Sequence, residues 1–367
     1  MPATIEITGS YNSKSAAALD DSSLHERLDQ GRMLAAIDTL PDQLREATTL
    51  AAQVDWLSYK PTTPAGVCVC GMGGSAIGGD LVRSYWEHES PVPMVVVRSD
   101  RLPEYINRFW MVIGSSYSGG TLETLSAVDD ARTRGSNILA LTSGGRLAAL
   151  AREAAWPLIM LPGGMMPRAA LGYSFGPVML ALIRWGIVPD RTDALLRAVD
   201  ALASSRAQYG LAASSDTNPA KQAAAILAGR TVCVYGTTGY TDVAATRLKC
   251  QFAENSKAVA FANALPELNH NEIVGIDATA DPERLAVVIL RSGEEPSISR
   301  KRLDWVADRV GERGIPVVSI TASDGDRLAR LLSLVQIGDY MSYHLAVVTG
   351  QDPTPIPAIT ALKAELT

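Results

Sequence analysis

The sequence predicts an α/β protein built from two related units, each a mostly parallel sheet with helices on both faces. Short apolar runs alternate with helical stretches, a pattern that needs crossover connections and therefore parallel strands. Glycine- and serine-rich turns follow several of these runs, at Gly71, Ser115 and Gly236. The strand–turn–helix pattern that opens at Gly71 opens again at Gly236, as in a duplicated unit. A chain of 367 residues, 47% of them apolar, is long enough for two full cores.

Residues 1–20 are polar and Ser/Ala-rich, and little order is expected there. From Leu24 to Ala52, Leu28, Met33, Leu34, Ile37, Leu40 and Leu44 recur at helical spacing and Pro41 divides the stretch. This helical lead-in, residues 1–60, is expected to pack on the first domain, residues 61–188. There, strands are predicted at Val67–Cys70, Met94–Val97, Trp110–Gly114, Asn137–Leu141 and Leu158–Leu161. Helices intervene, and a long one, Arg168–Trp185, closes the unit. Residues 189–220 read as a connecting segment. The second domain, residues 221–350, is predicted to hold strands at Thr231–Tyr235, Ala258–Ala262, Leu285–Leu290 and Pro316–Ile320. Its helices are a first one ending near Glu254, a short one opening at Asn269–Glu272, then Ile298–Glu312 and Arg327–Val348. Residues 351–367 form a tail with one more helical stretch.

The net charge of −6, with no block of Lys and Arg, argues against nucleic acid as a partner and gives no membrane-surface signal. The N-terminus lacks the basic and apolar regions of a signal peptide. No apolar run approaches the roughly eighteen residues of a membrane span. A cytoplasmic location is therefore expected, with Cys68, Cys70, Cys233 and Cys250 as reduced, buried thiols. Cys68-x-Cys70 places both side chains on one face of a strand and matches no familiar zinc spacing.

The turns carry the binding chemistry. Gly71-x-Gly73-x-x-Ala76 after a strand fits a dinucleotide fingerprint, with Asp100 near the distance for a ribose hydroxyl. A second loop, Ser115-Ser116-Tyr117-Ser118-Gly119-Gly120-Thr121, combines hydroxyls, glycines and a helix start, which together make a phosphomonoester cradle. Ser143 offers another donor at the next strand end. Two such loops at adjacent strand ends favour a small phosphorylated ligand at the carboxyl edge of the sheet. For chemistry, Glu254 at a helix end and His270 at a turn are the proton-transfer candidates, a carboxylate and an imidazole. His344 reads as a packed or surface residue, and His25 and His88, in polar settings, receive no role.

Taken together, the motifs resemble the sugar isomerase (SIS) fold, and more closely the bifunctional phosphoglucose/phosphomannose isomerase family. The resemblance rests on G-M-G-G-S-A-I-G-G-D (71–80), S-Y-S-G-G-T (116–121), L-T-S-G-G-R-L (141–147), P-R-A-A-L-G-Y (167–173), Y-G (235–236), E-N-S-K (254–257), L-N-H-N-E-I-V-G (268–275) and L-K (362–363). It implies two SIS-type, flavodoxin-like domains and an aldose–ketose isomerase. Such an enzyme interconverts glucose 6-phosphate, mannose 6-phosphate or both with fructose 6-phosphate through a cis-enediol, a step of glycolysis and gluconeogenesis. By the same resemblance Glu254 moves the proton between C1 and C2. His270 opens the sugar ring, reaching over from a second subunit, so a homodimer is implied. Arg168 stands beside the enediolate oxygens and Lys363 comes from the last helix. Gly74, Ser75, Ser116, Ser118 and Thr121 match the phosphate-binding positions, and Thr354 lies where C2 selectivity is adjusted. No metal or redox cofactor is required. Gly120, Leu122, Met166 and Ala253 depart from the family's usual Asn, Glu, Pro and Asn, beside the site rather than on it. The alternative is a sugar-phosphate sensor that uses the same loops without chemistry.

Overall fold

The computed structural model describes residues 1–9, 13–56 and 63–365. The expected boundary between residues 60 and 61, and the last two residues of the tail, lie outside them. Two compact units are present, residues 39–200 and residues 1–38 with 201–367.

The unit of residues 39–200 holds β2 (Gly66–Cys70), β3 (Met94–Val97), β4 (Trp110–Ser115), β5 (Asn137–Thr142) and β6 (Leu158–Met160). The other unit holds β1 (Thr4–Thr8), β7 (Thr231–Thr237), β8 (Ala260–Leu265), β9 (Leu285–Arg291) and β10 (Val317–Thr321). The helices, in chain order, are α1 (Ser13–Ala18), α2 (Ser22–Leu28), α3 (Met33–Asp38), α4 (Leu40–Ala52), α5 (Gly73–Trp86), α6 (Leu122–Thr133), α7 (Gly145–Glu153), α8 (Leu171–Arg184), α9 (Thr192–Tyr209), α10 (Pro219–Leu227), α11 (Asp242–Glu254), α12 (Glu272–Asp277), α13 (Ser297–Glu312), α14 (Arg327–Val348) and α15 (Pro357–Glu365).

The first sheet is parallel throughout, in the order β3-β2-β4-β5-β6. Every residue of β2 and β4 is buried, the mark of central strands covered on both faces rather than the alternation of a one-sided sheet. On one side lies a cluster that includes Cys68, Cys70, Val112, Val128, Ile138 and Leu147. As expected, Cys68 and Cys70 share a face: both are buried free thiols, their sulfurs 3.6 Å apart. Numbered within the unit, the strand order is 2-1-3-4-5, the flavodoxin arrangement, and its switch point falls between β2 and β4.

The second sheet runs β1-β10-β9-β7-β8, parallel except for β1. Here the expectation for residues 1–20 is corrected. Thr4–Thr8 forms an edge strand antiparallel to β10, with Thr4 opposite Thr321 and Thr8 opposite Val317. Its residues alternate exposed and half-buried, as suits an edge, and that short alternation carries little apolar signal.

The helical lead-in does not act as one piece. α4 packs on α8 through Leu40, Leu44, Ala47 and Ala51, which are buried. A β-carbon on Gly172 would meet that of Gln43 at 2.5 Å, and one on Gly176 would meet that of Ala47 at 2.6 Å, so glycine lets the two helices close. α2 and α3 instead pack on α14 in the other unit. The expected connecting segment, residues 189–220, is mostly the eighteen-residue helix α9, within which the division between units falls.

Candidate active site

The turns after β2 and β4 flank the switch point of the first sheet, where doubly wound folds bind ligands. The first turn runs straight into α5 at Gly73, and the second ends at Thr121, the residue before α6. Neither helix start carries a side-chain cap, so both present backbone N–H groups.

These turns are joined to each other. Ser75 Oγ accepts the Tyr117 N–H at 3.1 Å. Ser116 Oγ lies 3.0 Å from Thr121 Oγ1 and accepts the Gly119 N–H at 3.1 Å. Ser118 Oγ accepts the Gly120 N–H at 3.3 Å and is exposed. Gly119 has φ +68°, and a β-carbon there would stand 1.8 Å from the Gly144 carbonyl oxygen. This close approach seats the serine turn on the next one. Ser143 donates its hydroxyl to the Tyr117 carbonyl at 2.6 Å, so its visible role is to hold that turn rather than to offer a donor to a ligand.

Arg168 belongs to the same group. It lies in a one-turn 3-10 helix, Pro167–Ala169, and is 3% exposed. The long helix expected from Arg168 begins only at Leu171. A β-carbon on Gly74 would meet the Pro167 carbonyl oxygen at 2.5 Å, so glycine at 74 brings the Arg168 turn onto the start of α5. Gln43 holds the end of that turn from α4: its Nε2 donates to the Ala169 carbonyl at 2.8 Å and its Oε1 accepts the Gly172 N–H at 3.0 Å. Tyr117 ties down the approach, donating its hydroxyl to the Pro162 carbonyl at 2.7 Å while accepting the Met165 N–H at 3.2 Å. Burial pushes the Tyr117 phenol up, which keeps it a donor. Gln43 lies far from every motif, so no signal in the sequence pointed to it.

The remaining candidates lie in the other unit. Glu254 is the last residue of α11, half-buried. Beside it, Asn255 Nδ2 donates to Ser342 Oγ at 2.9 Å and Ser256 Oγ donates to the Ser342 carbonyl at 2.6 Å. Together these pin the helix end to α14. Lys257 donates its ammonium to the carbonyls of Glu254 at 3.0 Å, Asn255 at 3.1 Å and Asp352 at 2.5 Å. It thereby ties this helix end to the Asp352–Pro355 segment. Asp352 Oδ1 accepts the Thr354 N–H at 2.8 Å, and the Thr354 side chain lies against the backbone of Gly31. Lys363 is exposed on α15, a helix with no buried residue.

His270 is exposed and ends a 3-10 turn, Glu267–His270, after β8. Asn271 caps α12 by accepting the Glu272 N–H at 2.6 Å. Glu272 anchors this region, accepting from Tyr235 Oη at 2.8 Å and from Asn263 Nδ2 at 2.5 Å. Within one chain the two proton-transfer candidates do not meet. α11 returns Glu254 to the amino edge of the sheet, whereas His270 follows the carboxyl end of β8, six residues long. At about 3.3 Å per residue that strand alone spans roughly 20 Å.

His25 departs from its expected polar setting. It is 3% exposed, with Nδ1 3.0 Å from Tyr343 Oη and Nε2 3.0 Å from the Leu19 carbonyl. His344 is packed, fully buried on α14.

A flavodoxin-ordered sheet with Ser- and Gly-rich turns at its switch point, together with a second, mostly parallel sheet, defines a protein of the SIS class. The family described as bacterial phospho-glucose isomerase C-terminal SIS domain matches residues 216–366. The chain is 36% identical over 338 residues to the bifunctional phosphoglucose/phosphomannose isomerase of Caldicellulosiruptor bescii, covering 91% of this chain and 98% of the relative. It is 34% identical over 326 residues to the protein of the same name from Thermoplasma acidophilum, covering 88% and 96%. In fold it is similar to a glucose-6-phosphate isomerase from Chlamydia trachomatis, with a TM-score of 0.72, 14% identity, and coverage of 100% of this chain and 87% of that one. The chain belongs to the bifunctional phosphoglucose/phosphomannose isomerase family.

Proposed function

We propose that this protein is a cofactor-free aldose–ketose isomerase that interconverts glucose 6-phosphate, mannose 6-phosphate or both with fructose 6-phosphate. The observation that carries the reading is the joined group of Ser75, Ser116 and Thr121 at the switch point, with the Arg168 turn seated on Gly74. The hydroxyls of Ser75, Ser116, Ser118 and Thr121, with the backbone at Gly74, hold the phosphate. Glu254 takes a proton from one of C1 and C2 and returns it to the other. The Arg168 guanidinium stabilises the oxygens of the enediolate; its burial strengthens that interaction by excluding water. Lys363 adds a second cation and Thr354 adjusts selectivity at C2.

His270 opens the sugar ring from the second subunit of a homodimer. Two features support that part. Glu254 and His270 of one chain lie at opposite ends of β8. Phe261 and Val274, close to His270 along the chain, are 57% and 67% exposed, an apolar pair suited to a partner surface. The negative charge of the chain and the lack, among the described residues, of a helix long and apolar enough to cross a membrane are compatible with cytoplasmic chemistry on small phosphate esters.

A coupled assay with fructose 6-phosphate on wild type and Glu254→Gln tests the proposal. The variant should lose about 10²–10⁴ in kcat while still binding 6-phosphogluconate. Equal turnover in both proteins, or none in either with the ester still bound, would instead favour a sugar-phosphate sensor.

A further inference from the structure

At the amino edge of the second sheet lies a cavity of about 500 Å³. Its floor is where three parallel strands begin. Thr231 opens β7, Val259 precedes β8 and Arg284 precedes β9. Three of the residues that line it are cationic, Arg230, Lys257 and Arg284, and among the described lining residues none is acidic. Arg230 and Arg284 form no ion pair with any described residue. Arg230 gives one guanidinium N–H to the Ile226 carbonyl, and its Nε is buried without a hydrogen-bond partner among the described residues. Lys257 adds a third positive charge, its ammonium held in place by the carbonyls of Glu254, Asn255 and Asp352. Thr231, Ser256 and Gln351 supply neutral polar groups, and Leu227 and Leu345 an apolar wall. Convergent cations over a partly apolar cavity of this size suit a small phosphorylated molecule. None of the residues proposed for isomerisation lines the cavity.

We propose that this cavity is a second anion site, which binds the phosphate or pyrophosphate group of a small soluble molecule. It shares no lining residue with those proposed to hold or isomerise the sugar phosphate and does not depend on the isomerase reading. Isothermal titration of the full chain with inorganic pyrophosphate at fixed ionic strength tests it. The titration is done in a Ser75→Ala/Ser116→Ala background, which disables the turns of the other unit. Binding should persist in that background and weaken at least about tenfold when Arg230→Gln and Arg284→Gln are added. The Arg230→Lys/Arg284→Lys pair, which keeps the charge, should restore most of it and guards against mere misfolding. If pyrophosphate binding vanishes with the serine substitutions alone, or is indifferent to the arginine pair, the second site does not exist. Absence of isomerase turnover would leave this result untouched.

Discussion

The hydroxyl of Ser75, in the first turn of α5, accepts the backbone N–H of Tyr117, in the turn after β4, at 3.1 Å. One short contact thus fixes the start of α5 against the serine turn across the switch point. Ser75 is 7% exposed, so the bond is made away from bulk water.

Ser75→Ala should therefore damage binding more than turnover. It removes one proposed phosphate donor and leaves the Tyr117 N–H without its acceptor. A lost hydrogen bond to a charged group is worth about 1.5–3 kcal/mol, so KM for fructose 6-phosphate should rise about tenfold or more. Steady-state kinetics should find kcat changed by only a few fold. An unchanged KM would remove Ser75 from the phosphate site.

Gly119 and Gly120 are adjacent but not equivalent. Gly119 has φ +68°, and a β-carbon there would collide with the Gly144 carbonyl oxygen at 1.8 Å. A β-carbon on Gly120 meets nothing within 4 Å. Gly119→Ala should cost more than about 2 kcal/mol, since backbone strain and overlap add. Gly120→Asn, the residue common in the family at this place, should change stability by less than about 0.5 kcal/mol. Urea unfolding of both variants checks the contrast; comparable losses would contradict the packing of the serine turn on Gly144.

Much of this was legible in the sequence because it is local. Strand–turn–helix periodicity located β2 to β10, and the runs of Ser and Gly marked the turns at the switch point. What stayed hidden depends on contacts remote in sequence. β1 is assigned only through its pairing with β10. Gln43 reads as one polar residue of a helix, yet it donates to Ala169 at the end of the Arg168 turn and accepts from Gly172 just beyond it. Lys257 and Glu272 sat inside recognised motifs, but their work is tertiary: one binds the end of α11 to Asp352, the other binds α12 to Tyr235 and Asn263. Glu254 and His270 are close in sequence, and only the direction of α11 and β8 places them at opposite edges of the sheet.

The two buried histidines should make the protein acid-sensitive well above the carboxylate range. His344 is fully buried on α14, Nε2 2.7 Å from the Tyr209 carbonyl, with the His25 ring 6.0 Å from its own. Burial pushes His344 down to about 3 despite the Tyr209 bond, and burial lowers His25 as well. An unfolded histidine titrates near 6.5, so between these values the unfolded chain binds more protons than the folded one. Stability then rises with pH across this window: it is fully present above about 6.5 and is lost as pH falls toward about 3. Each such group contributes up to about 1.4 kcal/mol per pH unit. His344→Gln, which keeps an N–H for the Tyr209 carbonyl, should lower stability at pH 7 yet lose about 1–2 kcal/mol less than wild type between pH 7 and pH 5. Urea midpoints at the two pH values measure this. Equal acid losses in both proteins would mean that His344 is protonated in the folded state, which its surroundings of Tyr209, Tyr343 and His25 argue against.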